Sequence, residues 1–223
     1  MAEYAPLAVY GGRIDLGDRN NPRTRIVETI RPGSRVLEIG CATGFMGEFL
    51  VAQRGCVVLG VEIEEESARL ARSRGLNVVL GNIEDASVLA QVAGRYDYVL
   101  FGDVLEHLVH PARVLASMVP LLSEGGHVLA SIPNVAHWSV RWRLLAGQFR
   151  YTRGGLLDEN HLRFFERRTV RELFESGGLQ VETLDFIYAF PLPLPLPHAA
   201  RRAIVRAIPG LFTWQFVVDA VRR

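Results

Sequence analysis

The chain has no lysine: all 25 of its basic residues are arginine, set against 24 acids for a formal net charge of +1. Without lysine the phosphate-binding pattern GxxxxGK[ST] is ruled out. A charge this close to neutral supplies no global basic field to attract nucleic acid or an acidic membrane, so no nucleic-acid partner is expected. Cys41 and Cys56 are the only cysteines, too few for a disulfide framework and without the CxxC spacing of a zinc site. No apolar run reaches the ~20 residues that span a bilayer. The opening MAEYAPLAVYGGRIDLGDRNNP lacks the basic region and continuous apolar core of a signal peptide. A reducing cytoplasm is the expected compartment.

What is present is enough for one well-packed domain: 223 residues, 49% of them hydrophobic. Short apolar runs alternate with helical patterns. Strands are expected at Arg35–Ile39, Cys56–Val61, Asn77–Leu80, Tyr96–Phe101 and Gly126–Ile132, with helices at Gly44–Arg54, Glu64–Arg74, Glu84–Val92 and Pro111–Leu122. The strands are rich in Val, Leu and Ile without polar alternation, the pattern of strands buried on both faces. Strand alternating with helix implies right-handed crossovers and an α/β fold with a mainly parallel sheet. In such a sheet a ligand sits at the carboxyl ends of the strands, beside the switch point. The loop that follows the first strand is GCATG.

That loop carries an acid just before it, in VLEIGCATG (Val36 to Gly44). A dinucleotide fingerprint needs glycine at Ala42 and a small residue at Phe45, and Glu38 would repel a pyrophosphate. The acid favours a cation instead. A nucleoside bearing an amine or sulfonium in place of phosphates satisfies both the tight turn and the carboxylate, and S-adenosylmethionine is such a ligand. A second acid, Glu62, ends the next strand about 20 residues after the turn, where a βαβ unit places a ribose-binding group.

VLEIGCATG closely resembles the first motif of class I S-adenosylmethionine-dependent methyltransferases, and further matches follow in order. The resemblance implies a Rossmann-like fold with antiparallel final strands, and the product S-adenosylhomocysteine. It places Glu38, Gly40, Cys41, Ala42 and Gly44 around the cofactor, with Glu62 and Ile63 at the ribose. GNIED resembles the adenine-holding motif, with Asn82 where the family often has aspartate, and Ile83 beside it. DVLEHLVHP resembles the segment between cofactor and acceptor, which brings in Asp103. The bland alternatives are a loop-fastening acid for Glu38, a solvated helix start for Glu62, a plain turn residue for Asn82 and a small buried turn residue for Cys41.

Class I methyl transfer is an in-line displacement, so the enzyme aligns nucleophile and methyl and, for a hydroxyl acceptor, supplies a base. His161 leads the candidates, followed by His107 and His137. The alternatives are a loop anchor for His161, a local hydrogen bond for His107 and a helix cap for His137. Pro133 to Thr169 mixes Trp, Tyr, Phe and Arg with a glycine pair, as an acceptor pocket does. This stretch resembles small bacterial methyltransferases of polysaccharide and glycoconjugate assembly, in which PN..HW and HLRFF-like segments recur; ubiquinone-type O-methyltransferases share a looser pattern. O-methylation of a sugar or glycoconjugate intermediate is the reading this implies. PNVAHWSVRWRLLAG also resembles the W protein of methionine biosynthesis, the alternative in which the chain is a partner subunit of an acyltransferase; a small-molecule N-methyltransferase is another.

One domain is expected over 1–223: an N-terminal lid or helix at 1–34, a cofactor core at 35–132, the acceptor side at 133–178, and final strands at 179–223 carrying a proline-rich and helical insertion. There a helix Arg167–Ser176 and a strand Leu179–Phe186 precede PLPLPLPH, an extended strap. The following HAARRAIVRAI sets Ala200, Ala203, Ile204, Ala207 and Ile208 on one face, before a strand Thr213–Val218. That insertion packs on the sheet or, in the sharper version, makes a peripheral membrane or partner contact through 191–208. A homodimer is the other partner considered. Asp103, Glu106 and His107 lie close together, but loop acids explain them, and no metal site is assigned.

Overall fold

The computed structural model describes residues 14–191 and 197–223. Its strands are β1 (Arg35–Ile39), β2 (Val57–Glu62), β3 (Asn77–Leu80), β4 (Tyr96–Gly102), β5 (Leu122–Pro133), β6 (Leu179–Tyr188) and β7 (Thr213–Arg222). They form one sheet in the order β3-β2-β1-β4-β5-β7-β6. The helices are α1 (Pro22–Thr29), α2 (Phe45–Arg54), α3 (Glu65–Ser73), α4 (Ala86–Gln91), α5 (Pro111–Met118), α6 (Trp138–Leu145), α7 (Arg167–Ser176), α8 (His198–Ala207) and the single turn α9 (Pro209–Phe212).

Strands β1 to β5 pair in parallel, and β7 pairs antiparallel with both β5 and β6. This is the Rossmann-like sheet with antiparallel final strands that the sequence implied. The chain steps outward from β1 to β3 and then returns to β4 on the other side of β1. The carboxyl ends of β1 and β4 therefore border the crevice where such sheets bind ligands.

Alternate side chains of one apolar strand feed two cores. Leu37, Ile39, Val99, Phe101 and Val128 enter the core that includes Val114, Leu115 and Phe174 of α5 and α7. Their neighbours Val36, Tyr98, Leu100 and Leu129 enter the core containing Ile26, Leu50 and Ala71 of α1, α2 and α3. Burial on both faces is why these strands read as unbroken apolar runs.

Several boundaries differ from expectation: α4 is shorter, at Ala86–Gln91, and β6 and β7 run on to Tyr188 and Arg222. The helix from Pro111 ends at Met118 rather than Leu122, because Pro120 has no N–H for the helical ladder, and a 3₁₀ turn fills Val119–Leu121. Strand β5 begins at Leu122, before its glycines, across a register shift opposite Tyr96 and Tyr98. A Cβ on Gly126 would lie 3.0 Å from two carbonyl oxygens, so glycine here serves a close backbone approach rather than a turn. The second strand is Val57–Glu62, one residue beyond the expected Cys56–Val61.

Helix α8 corrects a second expectation. It packs through Val205, 1% exposed, and through Arg202, whose Nη2 donates to Asp185 Oδ1 of β6 at 2.9 Å. Ala203, Ala207 and Ile208 of the expected apolar face are exposed. The Arg202 head finds a carboxylate on the neighbouring strand, a contact that simple hydrophobic periodicity does not register. The strap at 192–196 and the first 13 residues lie outside the described residues. Among the described residues no helix is long and apolar enough to cross a membrane.

Candidate active site

The loop after β1 turns by left-handed backbone at Gly40 (φ +68), Ala42 (φ +47) and Gly44 (φ +79). A side chain at 40 or 44 has no room. A Cβ on Gly40 would meet Val104 at 2.5 Å, and one on Gly44 would meet Ala71 Cβ at 2.8 Å. The amides of Gly40 and Cys41 donate to Val61 O, that of Gly44 to Cys41 O, and that of Ala42 to Glu62 Oε2 at 2.8 Å. With those N–H groups engaged within the fold, the loop is not the open amide cradle a pyrophosphate needs.

Glu62 is 7% exposed and fastens this corner. Besides Ala42, its carboxylate accepts the amides of Ile63 (2.8 Å) and Glu64 (2.9 Å). Three of about four lone-pair sites are filled, which leaves one for a ligand hydroxyl. The Ile63 side chain, 56% exposed, forms the rim.

Glu38 lies beneath the first turn of α2, 3% exposed, accepting from the Gly47 amide, while its Oε2 is unpartnered. Burial, then the nearby Glu62, pushes its carboxyl up to about 8, so it carries a proton at neutral pH. A cation placed beside it would pull that value down. Cys41 Sγ occupies the space a Cβ on Gly60 would need, at 2.6 Å, and burial pushes the thiol up. It is a buried turn residue, inert as a nucleophile.

Asn82 Oδ1 accepts from the Glu84 amide at 3.0 Å, a turn-fastening bond, and Ile83 is buried in the core at 4% exposure. Glu84 then latches this loop to the next one, accepting from the amides of Val109 (3.1 Å) and His110 (2.7 Å). Asp103, at the end of β4 with φ +57, accepts from Ser131 Oγ (2.9 Å) and Gln215 Nε2 (2.5 Å). Burial raises its carboxyl. Neither Ser131 nor Gln215 is singled out by the sequence; each is a polar residue flanked by apolar neighbours in its strand, the one signal available.

On the acceptor side, the carbonyl of Glu106 accepts the amides of Leu162 (2.9 Å) and Arg163 (3.0 Å). This zips the loop before α7 onto the 3₁₀ turn Leu105–His107 and brings two of the three candidate histidines together. The rings of His107 and His161 are 4.8 Å apart, edge to face. His107 Nδ1 lies 3.1 Å from Asn160 O and His161 bonds the carbonyl of Leu156. A carbonyl only accepts, so each neutral ring donates one N–H and keeps a lone pair on its other nitrogen. Burial, then His107, pushes His161 down from the usual histidine range. Glu106 is 1% exposed, with both carboxyl oxygens unpartnered and its pKa driven well up by burial and Asp103. One donor atom from each of Glu106, His107 and His161 lies within 4.8 Å of the others.

His137 does not join them. It is 1% exposed and caps α6, accepting at Nδ1 from Ser139, while Nε2 donates to Ala189 O at 2.9 Å. With both ring nitrogens engaged it is a structural fastener, and its candidacy as a base is withdrawn. Arg141 and Arg163 likewise bond backbone carbonyls, of Ala136 and Gly210 and of Val109 respectively.

A switch-point crevice, a glycine turn with bonded amides, and buried acids at the ends of β1 and β2 define a nucleoside-binding α/β enzyme of the class I methyltransferase type. The family model described as "Methyltransferase domain" matches residues 19–184, and the chain belongs to that family. It is 36% identical over 167 residues to the ubiquinone biosynthesis O-methyltransferase of Acinetobacter baylyi, covering 72% of this chain and 69% of that protein. The same-named protein of Coxiella burnetii is 24% identical over 163 residues, with the same coverage. A S-adenosylmethionine-dependent methyltransferase structure from Archaeoglobus fulgidus shares the fold at TM-score 0.63 and 19% identity, covering 88% of this chain and 89% of that one. The protein is an S-adenosylmethionine-dependent methyltransferase. The corner fits that cofactor: the turn at Gly40 and Gly44 is packed too tightly for side chains of its own, and the Glu62 carboxylate keeps one acceptor site for a ligand hydroxyl.

Proposed function

We propose that the protein methylates a hydroxyl oxygen on a small acceptor, with His161 as general base and His107 as its neighbour in the acceptor cleft. The observation that carries this reading is the edge-to-face pair itself, in which each neutral ring keeps one lone pair. The bound cofactor supplies an activated methyl group. The chain's own residues hold it through Glu38, Gly40, Gly44, Glu62, Asn82 and Ile83, exclude water, and remove the hydroxyl proton at a histidine nitrogen.

Depression of the His161 pKa keeps it neutral, and so basic, at physiological pH. The names of the relatives support an oxygen acceptor. The resemblance of the acceptor-side segment to polysaccharide methyltransferases narrows the acceptor to a sugar or glycoconjugate intermediate. The test is transfer of labelled methyl from S-adenosylmethionine to three acceptors: a glycoconjugate intermediate, a hydroxylated ubiquinone precursor and an amine. Label on oxygen that disappears in His161→Ala supports the reading. Label on the amine, or full turnover by His161→Ala, overturns it.

A further inference from the structure

The surface changes character after the first turns of α6. Residues 141–153 are exposed without a break. Among them are five large apolar side chains: Trp142 (70% exposed), Leu144 (51%), Leu145 (82%), Phe149 (48%) and Tyr151 (56%). Single exposed apolar residues are ordinary, but this density on one short segment marks a surface built to be covered. The same stretch carries Arg141, Arg143, Arg150 and Arg153, and no acid occurs anywhere from Asn134 to Leu157. Arg153 lies 3.9 Å from Glu159 and Arg141 is tied to carbonyls, whereas Arg143 and Arg150 make no ion pair among the described residues.

We propose that α6 and the loop to Tyr151 are a docking surface for an anionic lipid bilayer. Charge complementarity selects this occupant. A second copy seated on the same patch across a two-fold axis would oppose arginine to arginine. An anionic bilayer answers both features at once, its headgroups taking the arginines and its interface taking the Trp and Leu side chains. The near-neutral charge of the whole chain makes the attraction local to this segment. It moves the membrane contact away from 191–208, where α8 faces the sheet with Val205 and Arg202.

The patch is linked by ring contacts to the histidine pair. Tyr151 contacts Phe149 at 5.4 Å, Phe149 contacts Phe164 at 6.4 Å, Phe164 contacts His161 at 6.2 Å, and His161 meets His107. An acceptor with an apolar tail would pass from the bilayer along this aromatic path to the base. That corollary rests on the proposed methyl transfer; the docking does not.

The experiment is co-sedimentation of the full chain with vesicles of phosphatidylglycerol mixed with phosphatidylcholine, and with phosphatidylcholine alone. The protein is expected to pellet with the anionic vesicles only and to be released by salt. Trp142→Ser with Leu145→Ser, and separately Arg143→Ser with Arg150→Ser, are expected to lower vesicle affinity about tenfold or more. Both variants should keep wild-type affinity for S-adenosylhomocysteine, which separates lost docking from lost folding or a failed active-site reading. The proposal is overturned if the wild type stays in solution, if neutral vesicles bind it equally, or if both variants pellet like the wild type. It is also overturned if the wild type sediments as a dimer that Leu145→Ser dissociates.

Discussion

The rings of His107 and His161 stand edge to face at 4.8 Å, one from the turn after β4 and the other from the loop before α7. Two amides bonded to the Glu106 carbonyl hold the strands of loop together, and the side chain of Glu106 lies buried and unpartnered beside them. Backbone bonds thus set the geometry and leave the histidine lone pairs for chemistry.

A pH profile reads that geometry directly. General-base catalysis needs neutral His161, so kcat/KM is expected to rise with pH through its pKa, with a midpoint below the usual 6.5 because burial and His107 push it down. His107→Ala removes one of those causes and should move the acid limb upward. His161→Ala should lower kcat roughly 10²–10⁴-fold with S-adenosylhomocysteine affinity retained. An acid limb that stays in place in His107→Ala would separate the two rings functionally.

Glu38 makes stability pH-dependent. Its folded pKa, about 8, lies above the unfolded 4.5, so the folded state binds the extra proton between those values and wild-type stability falls as pH rises through that window. Glu38→Gln keeps an oxygen for the Gly47 amide and cannot ionise. Denaturant unfolding should show the variant equal to wild type near the unfolded pKa and more stable at pH 8 and above, by on the order of 5 kcal/mol at most. Parallel curves for the two proteins would remove the buried-proton assignment.

Much of this fold was legible because its signals are local. Val36 to Ile39 read as a buried strand because both faces are covered, and Glu38 and Glu62 stood out as acids beside a turn. What escaped depends on distant partners. Helix α6 starts where Asn134 bonds the carbonyl of Thr213 and His137 bonds that of Ala189, contacts that a window of sequence does not contain. His137 was legible as a histidine near the strand ends, and its alternative as a helix cap proved the right one. The burial of Glu106 was invisible, since an acid in a turn ordinarily faces water. The face of α8 differs from the apolar pattern because Asp185 on β6 recruits Arg202.

Two glycines test the turn against simple backbone strain. Gly44→Ala and Gly55→Ala both place a side chain at positive φ, +79 and +63, which costs about 1–2 kcal/mol. Only at Gly44 would the new Cβ also strike Ala71 and Leu76; at Gly55 nothing lies within 4 Å. Gly55→Ala is expected to lower thermal stability modestly and keep S-adenosylhomocysteine affinity. Gly44→Ala should lose more stability and weaken binding about tenfold or more, since the loop must shift. Equal behaviour of the two in calorimetry would mean that the loop after β1 does not set the cofactor site.

Glu62 offers the sharpest test of the cofactor corner, because one carboxylate holds three amides and the ends of two strands. Glu62→Ala leaves the N–H groups of Ala42, Ile63 and Glu64 without their acceptor and removes the side-chain tie between the loop after β1 and the end of β2, leaving only the Gly40 and Cys41 amides on Val61 O. Hydrogen bonds to charged groups contribute about 1.5–3 kcal/mol each and are not additive here, so a loss of S-adenosylhomocysteine affinity of roughly 10–100-fold is expected. Glu62→Gln keeps one acceptor oxygen, for Ile63 and Glu64 or for Ala42, and turns its NH₂ group toward the other amide or amides, so it should fall between. Calorimetric titration of the three proteins, with NAD as a parallel control, measures this. Wild-type binding of S-adenosylhomocysteine alone, lost in that order, ties the corner to the methyl donor. Unchanged affinity in Glu62→Ala would make the carboxylate a strand fastener and move ribose recognition elsewhere.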